Sequence, residues 1–352
     1  MKKIVSLLLL ACMIFTLAAC GAKTEAPAEA PAETPAEAPV EEAPVAVEYT
    51  LGMGVELSTD SSKENNAQVD ATVAVVALDA EGKIVACRLD CAQSKMDITG
   101  GAVDAAKAFQ TKMELGDAYG MVQFGAAIAE WDAQAKAFEE YVVGMTAAEV
   151  EALELQEHNG HMISVDEALL AGCTMDITDF MAAVVKACND KWAVSFATAD
   201  AFTLGTAAIT EADESVAATA EENGSVNMYS YFGAAVVGAD GKVLAALNDA
   251  TQPKIAIDVN GGIVEAVYNG TKRELGENYN MVKFGAAIAE WDAQSAAFSA
   301  YVTGMTAAEI TALETQEHNG HQITVDETLL AQCTMDITSM RDVIAQAANY
   351  AR

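Results

Sequence analysis

Residues 124–134 read FGAAIAEWDAQ, and residues 284–294 read the same word again. The match spreads outward at a constant offset. Residues 123–180 align with 283–340 without a gap, and 43 of 58 positions are identical. GMTAAE, QEHNGH and CTMDIT are among the shared words. Upstream the match continues with small shifts: Glu114-Leu115-Gly116 against Glu274-Leu275-Gly276, Glu81-Gly82-Lys83 against Asp240-Gly241-Lys242, and Thr50-Leu51-Gly52 against Thr203-Leu204-Gly205. A repeat of this length is too long for a solenoid and long enough for a domain. The expected units are residues 50–190 and 203–352, joined by a junction over 191–202.

Each unit reads as strands followed by helices. VDATVAVVAL (69–78) is rich in β-branched residues and predicts a buried strand. Asp79 to Gly82 supplies a turn, and KIVACRL (83–89) returns as the second arm of a hairpin. Leu51 to Ser58 predicts a first strand, and Lys95 to Ile98 an extension. Apolar residues at helical spacing predict a long helix over Phe124 to Val143, with Ile128, Trp131, Ala135, Phe138 and Val142 on its inner face. Thr146-Ala-Ala-Glu149 is a capping box that opens a second helix to about Gln156, and Thr306 to Glu309 repeats it. Thr178 caps a third helix over Asp179 to Asn189. Strands first and helices after give an α+β class, two tandem repeats each made of a small antiparallel sheet followed by packed helices.

The two ends of the chain differ in composition. Lys2 and Lys3 precede an apolar run from Ile4 to Leu17, which ends in Leu17-Ala18-Ala19-Cys20. This is a secretory signal pattern over residues 1–19, and its ending resembles a lipobox, which makes Cys20 the expected lipidation residue. The run is shorter than the roughly 20 apolar residues that span a bilayer. Residues 20–49 hold five of the six prolines and seven glutamates, and predict an extended, solvated tether. The expected location is the extracellular face of the cytoplasmic membrane, reached through a lipid anchor. With 52 acidic against 19 basic side chains, the formal charge is −33. That excludes a nucleic-acid partner, which needs clustered cations.

Few residues suggest chemistry. All four histidines fall in two copies of one word, His158-Asn159-Gly160-His161 and His318-Asn319-Gly320-His321. With nearby acids each pair could bind a metal ion, while Asn-Gly equally favours a solvated loop between helices. Cys87 and Cys91 could form a metal or disulfide pair, or pack as small apolar residues. Lys112-x-Glu114-Leu-Gly-Asp117-x-Tyr119 recurs as Lys272-x-Glu274-Leu-Gly-Glu277-x-Tyr279 and could line a pocket, as could Trp131 and Trp291. No P-loop, GxSxG or GxGxxG motif is present, and no nucleophile or base can be named, so the reading leans away from an enzyme.

DAEGKIVACRLDCAQSK (79–95), KMELGDAYGM (112–121), AFEEYVVGMTAAEV (137–150) and CTMDITDF (173–180), behind a lipobox and a Glu/Pro/Ala tether, resemble a family of clostridial surface lipoproteins. More distantly, the order of elements resembles the FMN-binding domain of extracellular electron-transfer flavoproteins, which carries flavin on a threonine before its last helix. The resemblance places that threonine at Thr174, beside Gly172, and at Thr334. It implies FMN as a cofactor and an envelope redox partner. The alternative is a non-redox surface module that binds a small molecule, a metal ion or an envelope partner.

Overall fold

The computed structural model describes residues 45–352. The signal peptide expected over 1–19, Cys20 and most of the expected tether lie outside them. Repeat 1 opens with β1 (Val47–Ser58), β2 (Asn66–Leu78) and β3 (Ile84–Asp97). The short helices α1 (Lys112–Leu115) and α2 (Met121–Gly125) follow. Next come α3 (Trp131–Tyr141), α4 (Ala147–Glu151) and a small hairpin of β4 (Leu155–His158) and β5 (His161–Ser164). The repeat closes with α5 (Glu167–Leu170) and α6 (Thr178–Cys188). A strand, β6 (Val194–Thr198), lies in the junction.

Repeat 2 follows the same order of strands then helices, with six strands before the helices instead of three. It has β7 (Thr203–Glu211), β8 (Gly224–Asn227), β9 (Tyr229–Val237), β10 (Val243–Thr251), β11 (Lys254–Ile257) and β12 (Ile263–Val267). Then come α7 (Lys272–Leu275), α8 (Met281–Gly285), α9 (Trp291–Tyr301) and α10 (Ala307–Thr311). The hairpin is β13 (Thr315–His318) and β14 (His321–Thr324), and α11 (Glu327–Leu330) and α12 (Thr338–Asn349) end the chain. The fold is α+β, built from two similar sheet-then-helix units.

The main sheets are antiparallel, ordered β3-β2-β1-β6 and β10-β9-β7. They stack face to face. Val73, Val75 and Ala77 of β2 share one core with Leu204, Phe232 and Val236 of repeat 2. The alternate residues of the same strand, Ala74, Val76 and Leu78, face the helices of repeat 1. Both faces of β2 are therefore covered, which accounts for its unbroken apolar run. The helices lie outside the sheets, α6 on β1 and β2, α12 on β7 and β9. Glycines permit that approach: a Cβ at Gly52 or Gly205 would overlap the carbonyl oxygen of Ala187 or Ala347 on the covering helix.

Several local expectations are corrected. β1 starts at Val47, inside the segment expected as tether, because β6 pairs with it from Val47↔Thr198 to Leu51↔Val194. The long helix expected from Phe124 is broken. Ala126 takes a left-handed φ of 50° and ends α2, and the next helix starts only at Trp131. The Glu130 carboxylate accepts the main-chain N–H groups of Met121 and Val122 at 2.7 and 3.0 Å, which stabilises that break. The second helix stops at Glu151, and Leu155 already belongs to a strand. Thr178 does not cap the last helix; its N–H is accepted by Asp176 at 3.0 Å.

Candidate functional site

The two repeats interlock through reciprocal contacts. On α6, Lys186 reaches Glu274 of α7 at 3.2 Å. On α12, the aligned Gln346 donates to Glu114 of α1 at 2.6 Å. Each junction is walled by the edge strand β3 or β10, by α3 or α9, by α1 or α7, and by the segment that leaves the other repeat's last helix.

In repeat 1 a cluster of charged side chains occupies part of this space. Glu139 of α3, 1 % exposed, accepts the Leu89 N–H at 2.8 Å. It also takes two hydrogen bonds from Arg352, at 3.1 and 2.9 Å, and Arg88 lies 3.6 Å away. Burial pushes the Glu139 carboxyl up, and Arg352 leads the contacts that hold it down. A cavity of about 270 Å³ remains, lined in part by Leu89, Met113, Tyr350 and Arg352.

In repeat 2 the matching space holds no such cluster and is somewhat larger. A cavity of about 330 Å³ lies between Trp192, β10 and α9. WDAQAKAFEEY of α3 becomes WDAQSAAFSAY in α9, and the changed residues are Ser295, Ala296, Ser299 and Ala300. All four line the cavity. On β10, Leu247 and Asn248 stand where Arg88 and Leu89 stand on β3. The wall is rigid. Arg273 places one nitrogen at 3.1 and 3.0 Å from the two carboxylate oxygens of Asp190, and both residues are buried. The Arg273 guanidinium lies 5.1 Å from the Trp192 ring, whose Nε1–H donates to Asp292 at 3.3 Å. Ser295 donates to the Asn248 amide oxygen at 2.8 Å, and the Asn248 amide donates to Ser299 at 2.8 Å.

No single repeat reveals this site. Setting one repeat against the other does reveal it. The changed positions 295, 296, 299 and 300 follow helical spacing and share one face.

The recurrent Lys-Tyr-Trp set comes together in both repeats, as a closed cage. Lys272 lies 4.3, 4.5 and 5.7 Å from the rings of Tyr229, Tyr279 and Trp291. Lys112 lies 5.1 and 5.6 Å from Tyr119 and Trp131. Burial pulls the Lys272 ammonium down to about 7, against the opposing charges of Glu214 and Asp249. Beside the cages, Asp90 and Asp249 accept the main-chain N–H groups of Met113 and Arg273 at 3.2 and 3.1 Å, which clamps α1 and α7 to the strands. Burial raises both carboxyls to about 6.

Thr174 and Thr334 occupy matching places, but no cavity described above touches them. Each donates its main-chain N–H to a buried glutamine, Gln134 or Gln294, at 2.9 Å. The hydroxyls contact the same oxygens at 3.3 and 3.4 Å. Gly172 allows close packing, since a Cβ there would lie 2.7 Å from Ala137 Cβ. The histidines do not sit on loops between helices. His158 pairs with His161, and His318 with His321, at the ends of exposed hairpins. Asn159 (φ 53°) and Gly160 (φ 86°) make the two-residue turn that Asn-Gly favours. Among the described residues, no three His, Cys, Asp or Glu side chains are grouped to hold a metal ion. Cys87 and Cys91 are free and buried, and burial pushes the Cys91 thiol to about 11. Between each Tyr and Trp of the cages lies a short helix, α2 or α8, with an exposed phenylalanine, Phe124 at 81 % and Phe284 at 77 %. Among the described residues no helix is long and apolar enough to cross a membrane. Set against known proteins, the chain matches no family model, no curated protein and no solved structure.

Proposed function

We propose that this protein is a lipid-anchored extracellular binding module, and that the cavity at the second repeat junction holds a small-molecule ligand. One observation carries the reading: the four residues that distinguish α9 from α3 all line that cavity. Elsewhere in the aligned stretch the repeats are mostly identical, so the divergence on this face is concentrated where it opens space. A volume of about 330 Å³ falls at the small end of the roughly 300–1,000 Å³ range of ligand pockets. The remaining wall is held by a buried ion pair and a hydrogen-bonded Asn-Ser chain, which presets its shape.

The anchor rests on the Leu17-Ala18-Ala19-Cys20 ending and the acidic Pro-rich stretch after it. Flavin carried by Thr174 or Thr334 draws less support, because both hydroxyls rest against glutamines and no described cavity adjoins them. A binding screen on the full chain in detergent tests the reading. Small molecules should protect the wild type against thermal unfolding, and Ser299→Phe should abolish that protection. Protection that survives Ser299→Phe would place the ligand elsewhere. Intact-mass analysis tests the anchor: a diacylglyceryl increment on Cys20 is expected, and its absence from the membrane-extracted protein would refute it.

A further inference from the structure

The cavity's chemistry narrows the ligand, given the reading of that cavity as a binding site. Repeat 1 supplies the comparison. Where it places Arg88, Lys136, Glu139 and Glu140, repeat 2 has Leu247, Ala296, Ser299 and Ala300. Arg352, which closes the charge cluster in repeat 1, aligns with Trp192. Three cations and two anions have gone, so the vacated space keeps no cationic excess.

Two charged side chains remain on the wall, one paired with an opposite charge and one only hydrogen-bonded. Arg273 is held by Asp190 through contacts of 3.1 and 3.0 Å, and Asp292 accepts the Trp192 N–H at 3.3 Å. An anionic ligand would lose water and find no free countercharge, which is costly in a partly enclosed site, and a cationic one would find only the part-exposed Asp292 carboxylate already bonded to Trp192. Ser299 took the place of one ion, and Ser295 and Asn248 replaced the apolar Ala135 and Leu89. Ser295 donates to the Asn248 amide oxygen, and the amide of Asn248 donates to Ser299, each at 2.8 Å. The chain of bonds ends at Ser299, whose hydroxyl proton has no acceptor among the described residues. A hydroxyl both accepts and donates, so Ser299 offers one donor to the cavity. Val194, Leu244 and Leu247 add apolar wall.

We propose that the cavity takes an uncharged small molecule with an apolar face and a carbonyl, ether or hydroxyl oxygen that accepts from Ser299. At about 30 Å³ per water, the cavity has room for about ten waters, enough for a single substituted ring.

The probes are benzamide, benzyl alcohol, benzoate and benzylammonium, which share a ring and differ in charge. Binding to the full chain in detergent is measured by saturation-transfer NMR and calorimetry. Benzamide and benzyl alcohol should bind, with the two ions at least about tenfold weaker. Ser299→Ala should weaken the uncharged probes several-fold by removing the donor. Ser299→Phe should abolish their binding; Ala300→Trp, at the exposed mouth, serves the same purpose if Ser299→Phe does not fold. If an ion binds as well as the neutral probes and the filling variant blocks it, the ligand class is wrong and the cavity reading stands. If no probe binds, or binding survives the filling variants, the cavity reading itself falls.

Discussion

Replacing Lys272 by methionine should stabilise the protein, and should do so only where the lysine is charged. Lys272 is 5 % exposed and lies among three aromatic rings. Burial lowers its pKa from 10.5 to about 7, with Glu214 and Asp249 pulling the other way. At about 1.4 kcal/mol per pH unit, holding the charged form in the fold costs about 5 kcal/mol. Three ring faces return about 0.5–1 kcal/mol each. The net penalty is then about 2–3 kcal/mol. The sign follows from proton counting. Between the lowered folded pKa and 10.5 the unfolded chain holds a proton that the folded chain has released, so stability rises with pH across that window. Below it both states are protonated and the penalty is complete. Urea unfolding of wild type and Lys272→Met at pH 6, 8.5 and 10.5 isolates the effect. The variant should be about 2 kcal/mol more stable at pH 6, with the gap closing toward pH 10.5. A variant less stable at pH 6, or a gap independent of pH, would show that burial costs the ammonium no more than the rings return.

Three further outcomes are expected. Arg273→Met should cost about 3–5 kcal/mol, because it strands the buried Asp190 carboxylate. Arg273→Met with Asp190→Asn should cost less than Arg273→Met alone, and chemical denaturation of the full cycle checks this. Gly54→Ala should destabilise by about 1–3 kcal/mol through overlap with Ala183 on α6, while Gly125→Ala, with open space around its Cβ position, should change the melting temperature far less. Thr174→Ala and Thr334→Ala should leave the visible spectrum and intact mass unchanged apart from the substitutions; a flavin band lost with either threonine would revive covalent FMN.

What could be read from the sequence was local. The hairpin of β2 and β3 follows from its strand composition and from Gly82, which takes a φ of 74° at the turn. The capping boxes at Thr146 and Thr306 form as spacing predicts, with both reciprocal hydrogen bonds in place. The break before Trp131 was not legible, because it depends on Glu130 reaching back to N–H groups eight and nine residues away. Residues 124–130 satisfy a helical pattern although Phe124 and Ile128 face solvent. The stacking of the sheets was half legible. Both alternating sets on β2 are apolar, which demands two covers, but nothing in one repeat says that the second cover is the other repeat. The cavity is least local of all, since it depends on what is missing from α9 relative to α3.

The reciprocal junctions have a consequence for how the two halves can change. Contacts of the form i against j and j against i are those of an isologous pair. Between separate identical chains, every substitution enters both junctions at once, so a hollow opened in one is opened in the other and cohesion is lost twice. Joined in one chain, each half meets its neighbour at an effective concentration on the order of millimolar or above, whatever the strength of either junction. One junction can then remain welded by Glu139, Arg88 and Arg352 while the other gives up its charges to make room. Covalent linkage turns a symmetric surface into a division of labour.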